Sequence, residues 1–263
     1  MVNLLVKPRN GQGRVIQVTP ESAGWSYVGF DVWKVSPGKT AAGRSKDRET
    51  CLVFVAGRGR VEAGGKDLGE LGERTSPFAG KPWSVYVPAD QAWRVTATTP
   101  LELGVCTAPG SDKLAARVIA PQSIGQETRG KGTNTRYVTN ILPETEPAQS
   151  LIIVEVITPA GHSSSYPPHR HDRDDLPRES LLEETYYHRL NPSQGFAFQR
   201  VYNDDRSLDE AMAVEDGDVT LVPSGYHPCA ATHGYDLYYL NVMAGPRRTW
   251  KFHTAPEHEW LLK

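Results

Sequence analysis

Short runs of β-branched and aromatic residues, broken every few positions by Gly, Pro or Asp, recur along almost the whole chain. They read "WSYVGFDVWKV", "TCLVFVAGRGRVEA", "WSVYVPADQAWRVTA", "LELGVCTA", then "SLIIVEVITPAG", "ETYYHRL", "GFAFQRVY", "DVTLVPSG" and "DLYYLNVMAG". Val, Ile, Tyr and Phe fit a pleated, half-buried surface, and the frequent turn residues leave little room for long helices. The chain is therefore expected to be all-β, built as a sandwich or barrel. The best helical stretch, "SDKLAARVI" at 111–119, runs straight into Pro121.

The runs fall into two halves of similar plan. Each has a hairpin, then a Val-Pro-x-(Asp/Gly) turn, then another strand; the turns are "VPAD" at 87–90 and "VPSG" at 222–225. With 263 residues there is material for two modest cores. The expected organisation is a duplicated barrel: residues 1–110 as a first barrel, 111–147 as a polar joint and 148–263 as a second barrel. All eight histidines lie at 162 or later, so a histidine metal site can only belong to the second half.

Charge excludes some partners. With 29 Lys and Arg against 31 Asp and Glu, the formal balance of −2 supplies no field to gather nucleic acid or an anionic membrane. No apolar run approaches the roughly 18–20 residues that cross a bilayer, and the apolar part of "MVNLLVKPRNGQG" is too short for a secretory segment. A soluble, cytoplasmic protein with a small-molecule partner is the expectation, and Cys51, Cys106 and Cys229 are read as buried free thiols. The tryptophans Trp25, Trp33, Trp83 and Trp93 read as core or interface. The closing "WKFHTAPEHEWL" reads as packing across the barrel or at the contact of a homo-oligomer.

The chemistry concentrates in "YPPHRHD" at 166–172. On a strand, His169 and His171 at i and i+2 point to the same side and can converge on one ion. Glu183 and Glu184 open a strand in "LLEETYYHRL", and the "VPSG" turn presents His227 two residues later. Three imidazoles and a carboxylate leave coordination positions open for substrate. His162, His233, His253 and His258 have no partner spacing and default to surface or capping roles.

The pattern Gly161, His169, His171, Glu184, Gly195, followed by Gly217, Pro223, Gly225 and His227, resembles the two motifs of the cupins. It departs from the commonest form in the long "DRDDLPRESLLE" gap before the glutamate and in a histidine one residue closer to its glycine. Longer blocks, "SSSYPPHRHD", "LEETYYHRLNPSQGFAFQRVYNDDRSLDE", "DVTLVPSGYHP", "HGYDLYYLNVMAG" and "PEHEW", resemble the 5-deoxy-glucuronate isomerase family of myo-inositol breakdown. These are bicupins related to 5-keto-4-deoxyuronate isomerase. The resemblance implies a bicupin fold, an aldose-ketose isomerisation of a uronate through an enediol, and a divalent metal on His169, His171, Glu184 and His227. An imidazole-rich shell suits zinc first, then iron or nickel, and the carboxylate also admits manganese.

Around that centre the sequence offers further roles. Glu155, a carboxylate in the apolar strand "LIIVEVITPAG", is the candidate general base, with Tyr239 as the second catalytic residue. Tyr186 shares a strand face with Glu184 and is expected to line the substrate pocket; His188 is expected at its rim. A uronate requires a cation, for which Arg200 in "FAFQRVY" is the first choice and Arg136 in "NTRYVTN" the second. Two other readings compete: an iron-dependent dioxygenase using the same ligands, and a non-enzymatic sugar-binding cupin.

Overall fold

Strand alternation decides the layers. In the strand Arg48–Ala56, Leu52 and Phe54 join one apolar cluster while Cys51, Val53 and Val55 join another, so both faces are covered. The same holds for Leu101–Pro109, where Leu103 and Val105 face one way and Cys106 and Ala108 the other. Central strands buried on both sides are what two back-to-back sandwiches require. The computed structural model, which describes residues 3–44, 46–111 and 113–263, has that architecture.

In the first half a six-stranded sheet runs, in spatial order, Arg117–Ile119, Ser84–Val87, Arg48–Ala56, Leu101–Pro109, Gly29–Val35, Gly13–Val18. It packs on a four-stranded sheet of Thr40–Arg44, Ala92–Ala97, Gly59–Ala63 and Lys66–Leu71. The second half repeats the plan. Its seven-stranded sheet is ordered Leu5–Val6, Val219–Val222, Glu183–Asn191, Asp236–Ala244, Ile152–Thr158, Arg136–Leu142, Gly125–Arg129. The facing sheet contains Ser163–Ser164, Cys229–Ala231, Phe196–Tyr202 and Asp209–Glu215. The duplication reaches the backbone of the paired turns: Asp90 (φ 60°) and Gly225 (φ 88°), fourth residues of "VPAD" and "VPSG", are both left-handed.

Two boundaries differ from the sequence expectation. The segment 111–147 is no joint: Arg117–Ile119 is an edge strand of the first sheet, while Gly125–Arg129 and Arg136–Leu142 extend the second. Leu5–Val6, from the first half, pairs with Val219–Val222 of the second. The stretch expected as a helix instead ends in the strand Arg117–Ile119, where β-branched Val118 and Ile119 pair with Val85 and Ser84; Asp112 within it lies outside the described residues. No helix among the described residues is long and apolar enough to cross a membrane.

The two large sheets pack against each other, and the contact is both apolar and ionic. Phe30 meets Tyr187 at 5.8 Å between ring centroids. The Tyr187 hydroxyl donates to Glu102 (2.8 Å), which also pairs with Arg189. This arrangement leaves two barrel interiors of opposite character. The first is filled by Leu52, Phe54, Val61, Val85, Val95 and Leu103. The second places His, Glu, Tyr and Asn side chains at its centre, and the functional site is there.

Candidate metal centre

Antiparallel pairing sets which side chains share the second interior. Glu184 lies opposite Met243, Tyr186 opposite Asn241 and His188 opposite Tyr239, and all six face inward. The three candidate-ligand imidazoles all come from outside this sheet. His169 belongs to a two-residue strand paired with His253–Thr254 of the C-terminal segment, and His171 follows two positions on. His227 is delivered by the "VPSG" turn, whose left-handed Gly225 is obligatory: a Cβ there would lie 2.5 Å from the Tyr202 carbonyl oxygen. Asp172 fixes the same turn by accepting from the Gly225 amide (2.7 Å).

One carboxylate oxygen organises the group. Glu184 Oε2 is 3.2 Å from Nε2 of His171 and 3.2 Å from Nε2 of His227. One ring nitrogen from each of His169, His171 and His227 falls within 4.8 Å of the others. Two ligands at ~2.1 Å from one ion stand roughly 3.0–3.4 Å apart when they subtend about 90–110°. The 3.2 Å spacing fits atoms that share an ion. Each histidine also has its Nδ1 directed at a backbone carbonyl: Leu182 for His171 (3.0 Å), Gly225 for His227 (2.8 Å) and Pro167 for His169 (3.4 Å). Donation from Nδ1 leaves the Nε2 lone pair for a metal. His227 Nε2 is buried without a hydrogen-bond partner, a cost that a bound cation removes.

The electrostatics keep Glu184 and His169 in ligand form. Burial opposes ionisation of Glu184, but its close contacts with His171 and His227 outweigh it and hold the carboxyl at about 2. Burial, reinforced by the two neighbouring imidazoles, pushes His169 well below the usual histidine range and keeps it neutral. His171 is also buried, yet its contact with Glu184 raises it. The choice between Glu183 and Glu184 is settled by strand phase. Glu183 turns away and accepts from the amides of Ser26, Tyr27 and Val28 at 2.6–2.9 Å, tying the first half to the second.

Two tyrosine–serine pairs flank the centre. The Tyr186 hydroxyl bonds Ser165 Oγ (2.8 Å) and its ring packs edge-on to His227 (5.9 Å). The Tyr239 hydroxyl bonds Ser164 Oγ (2.6 Å), and the two tyrosine rings are 4.9 Å apart. Burial raises both phenols above their ordinary range, so both stay protonated at neutral pH and can donate hydrogen bonds. Ser164 and Ser165 were not legible as site residues; the run "SSSY" has no spacing that distinguishes it from a loop. Phe252, from the C-terminal segment, lies over His169 at 4.7 Å. It also lines a cavity of about 690 Å³ with Glu127, Arg129, Asn140, Val154 and Trp250. The tail thus packs across the second barrel.

Three expected positions need correction. Glu155 is out of phase with Val154 and Val156 and points into the contact between the large sheets. There Arg74 holds it bidentately (2.9 and 2.8 Å) and Tyr238 donates to it (2.9 Å), which removes it as the base. Arg200 faces outward with Phe196 and Phe198 and is paired with Asp209 (2.7 Å). The inward residue of that strand is Gln199, which bonds His188 Nε2 (3.0 Å). His188 is not at the rim: it is wholly buried, and burial pushes it down to about 4. Arg170 of "YPPHRHD" is buried against Glu179 and Asp204. The three cysteines are buried and free, as expected.

Similarity to known proteins agrees with this geometry. The sequence matches the KduI/IolB family over residues 4–261. A 5-deoxy-glucuronate isomerase of Geobacillus kaustophilus is 53% identical over 97% of this chain and 92% of its own length. The crystal structure of an IolB-like protein from Salmonella typhimurium superposes with a TM-score of 0.97 at 52% identity, covering 99% of this chain and all of that one. An oxalate decarboxylase of Bacillus subtilis shares the two-barrel fold alone: TM-score 0.65 at 12% identity, over 97% of this chain and 80% of that one.

Proposed function

The chain belongs to the KduI/IolB family and is an isomerase, and from that premise we propose that it converts 5-deoxy-glucuronate to 5-dehydro-2-deoxy-gluconate. The observation that carries the reading is the convergence of His171 and His227 on one oxygen of Glu184, with His169 beside them. These four residues would hold a divalent metal, zinc by the preference of an imidazole-rich shell. When bound there, such an ion supplies Lewis-acid stabilisation of the enediolate that forms between the aldehyde carbon and its neighbour.

The chain's own residues act on the substrate oxygens and shield the enediol. The reaction takes a proton from C2, returns one to C1, and moves a hydroxyl proton from the C2 oxygen to the C1 oxygen. Tyr239, protonated and aligned by Ser164, donates at a substrate oxygen; Tyr186, aligned by Ser165, holds the neighbouring hydroxyl. Val154 and Val156, on the same inner face as Tyr239, exclude water from the enediol. The three free buried thiols suit a reducing cytoplasm.

The test is turnover of 5-deoxy-glucuronate by the purified protein, followed as loss of its hydrated-aldehyde proton signal. Wild type is expected to produce the ketose. Tyr239→Phe is expected to lower kcat by about 10²–10³-fold with KM changed only a few-fold and metal content unchanged. An active wild type with an equally active Tyr239→Phe variant would remove Tyr239 from the mechanism.

A further inference from the structure

Most buried arginines of this protein have visible partners. Arg74 meets Glu155, Arg170 meets Glu179 and Asp204, and Arg189 meets Glu102 and Asp216. Arg48 and Arg248 spend their N–H groups on backbone carbonyls, those of Tyr27 and Thr107 for the first and a ring from Leu142 to Leu151 for the second. Arg136 does neither. Its Nη1 donates to the carbonyl and side-chain oxygens of Asn134, at 3.1 Å each. Among the described residues Nε and Nη2 have no acceptor and the guanidinium has no ion pair, although it is half-buried.

Register places this cation in the catalytic interior. Val138 lies opposite Val156, and Val156 opposite Tyr239, so Arg136, two positions before Val138, shares their inner face. Burial lowers its pKa, and among neighbouring groups Tyr239 influences it most, with Arg129, Cys229 and Tyr186 behind. The guanidinium is pre-positioned by the turn below it: a Cβ on Gly130 (φ 81°) would come 2.9 Å from Nη1. Arg129, opposite Arg136 across that turn, is already engaged, paired with Glu127 (2.7 Å) and laid over Trp250 (5.0 Å). A cation taken out of water without an anion is costly, and two free donors in a fixed fork match a carboxylate.

We infer that Arg136 is the carboxylate anchor of the active site, receiving the C6 carboxylate of the substrate while C1 and C2 lie at the metal ligands. The inference rests on the uronate reading above. C1 and C6 of an extended six-carbon acid are ~6 Å apart at ~1.5 Å per bond, allowing for bond angles.

Arg136→Ala is expected to raise KM for 5-deoxy-glucuronate roughly 10- to 100-fold, with kcat within a few-fold and metal content unchanged. Arg136→Lys should fall between, and Arg136→Gln repeats the test should the alanine variant fail to fold. Calorimetric binding of glucuronate and of glucose to the metal-loaded protein gives a readout that does not depend on turnover. Wild type should prefer the acid, and Arg136→Ala should lose the preference. A wild type that leaves 5-deoxy-glucuronate unchanged but shows an Arg136-dependent preference for glucuronate supports the anchor and refutes the substrate. An active wild type whose Arg136→Ala variant keeps the same KM overturns the anchor and leaves the isomerase reading intact. A wild type with no preference between the two sugars overturns the anchor as well.

Discussion

His171→Ala is expected to lose its metal and its isomerase activity together. The reason is geometric: His171 Nε2 is one of the two imidazole nitrogens at 3.2 Å from Glu184 Oε2, and no other described side chain can replace it. Without the ion the enediolate loses several kcal/mol of stabilisation, so turnover should fall by at least about 10³-fold. Elemental analysis should show that fall accompanied by an empty site. Thermal denaturation adds an internal control. Metal binds the folded state and raises its stability, so the wild type should melt higher with metal than after chelation. The His171→Ala protein should ignore the chelator. A fully active His171→Ala enzyme would refute the ligand assignment.

Glu155→Gln should cost about 3–5 kcal/mol of stability, because it leaves the Arg74 guanidinium buried without a counter-charge between the two large sheets. Arg74→Met in the same chain should recover a large part of that loss. It removes the stranded charge, while the amide introduced by Glu155→Gln can still accept from the Tyr238 hydroxyl. Chemical denaturation of the two single variants and the double variant measures the coupling. The double variant also bears on catalysis. As Glu155 faces away from the metal centre, the refolded double variant should keep kcat within a few-fold of wild type. A loss of about 10³-fold in kcat with the fold intact would restore Glu155 as a base.

That residue shows where sequence reading reaches its limit. Period-two alternation identifies a strand's faces when one face is polar. In "LIIVEVITPAG" both faces are buried, one in the second barrel and one against the first, so nothing in the neighbours says which way Glu155 points. Arg200 failed for the opposite reason. Its strand does alternate, but the large Phe196 and Phe198 are outside and the small or polar Ala197 and Gln199 inside, inverting the usual pattern. The polar edge strand "GQETR" read as linker because an edge strand carries little apolar signal. The residues that converge at the candidate metal centre were legible because their constraints are local. Two histidines at i and i+2, a carboxylate opening a strand, and a glycine turn that places a third histidine each survive without knowledge of the partner sheets. The all-β, two-barrel plan was legible for the same reason, since β-branched runs and the paired "VPAD" and "VPSG" turns are properties of short segments.

Isomerisation of 5-deoxy-glucuronate is proposed to depend on a metal at His169, His171, Glu184 and His227. Proton NMR of that sugar in deuterated buffer tests it most directly, with metal-loaded protein, chelated protein and protein to which metal has been restored. Conversion to the ketose with deuterium entering the product is expected, with no conversion after chelation, recovery on restoration, and no uptake of oxygen. An unchanged spectrum with metal-loaded protein, or full conversion by chelated protein, would contradict it.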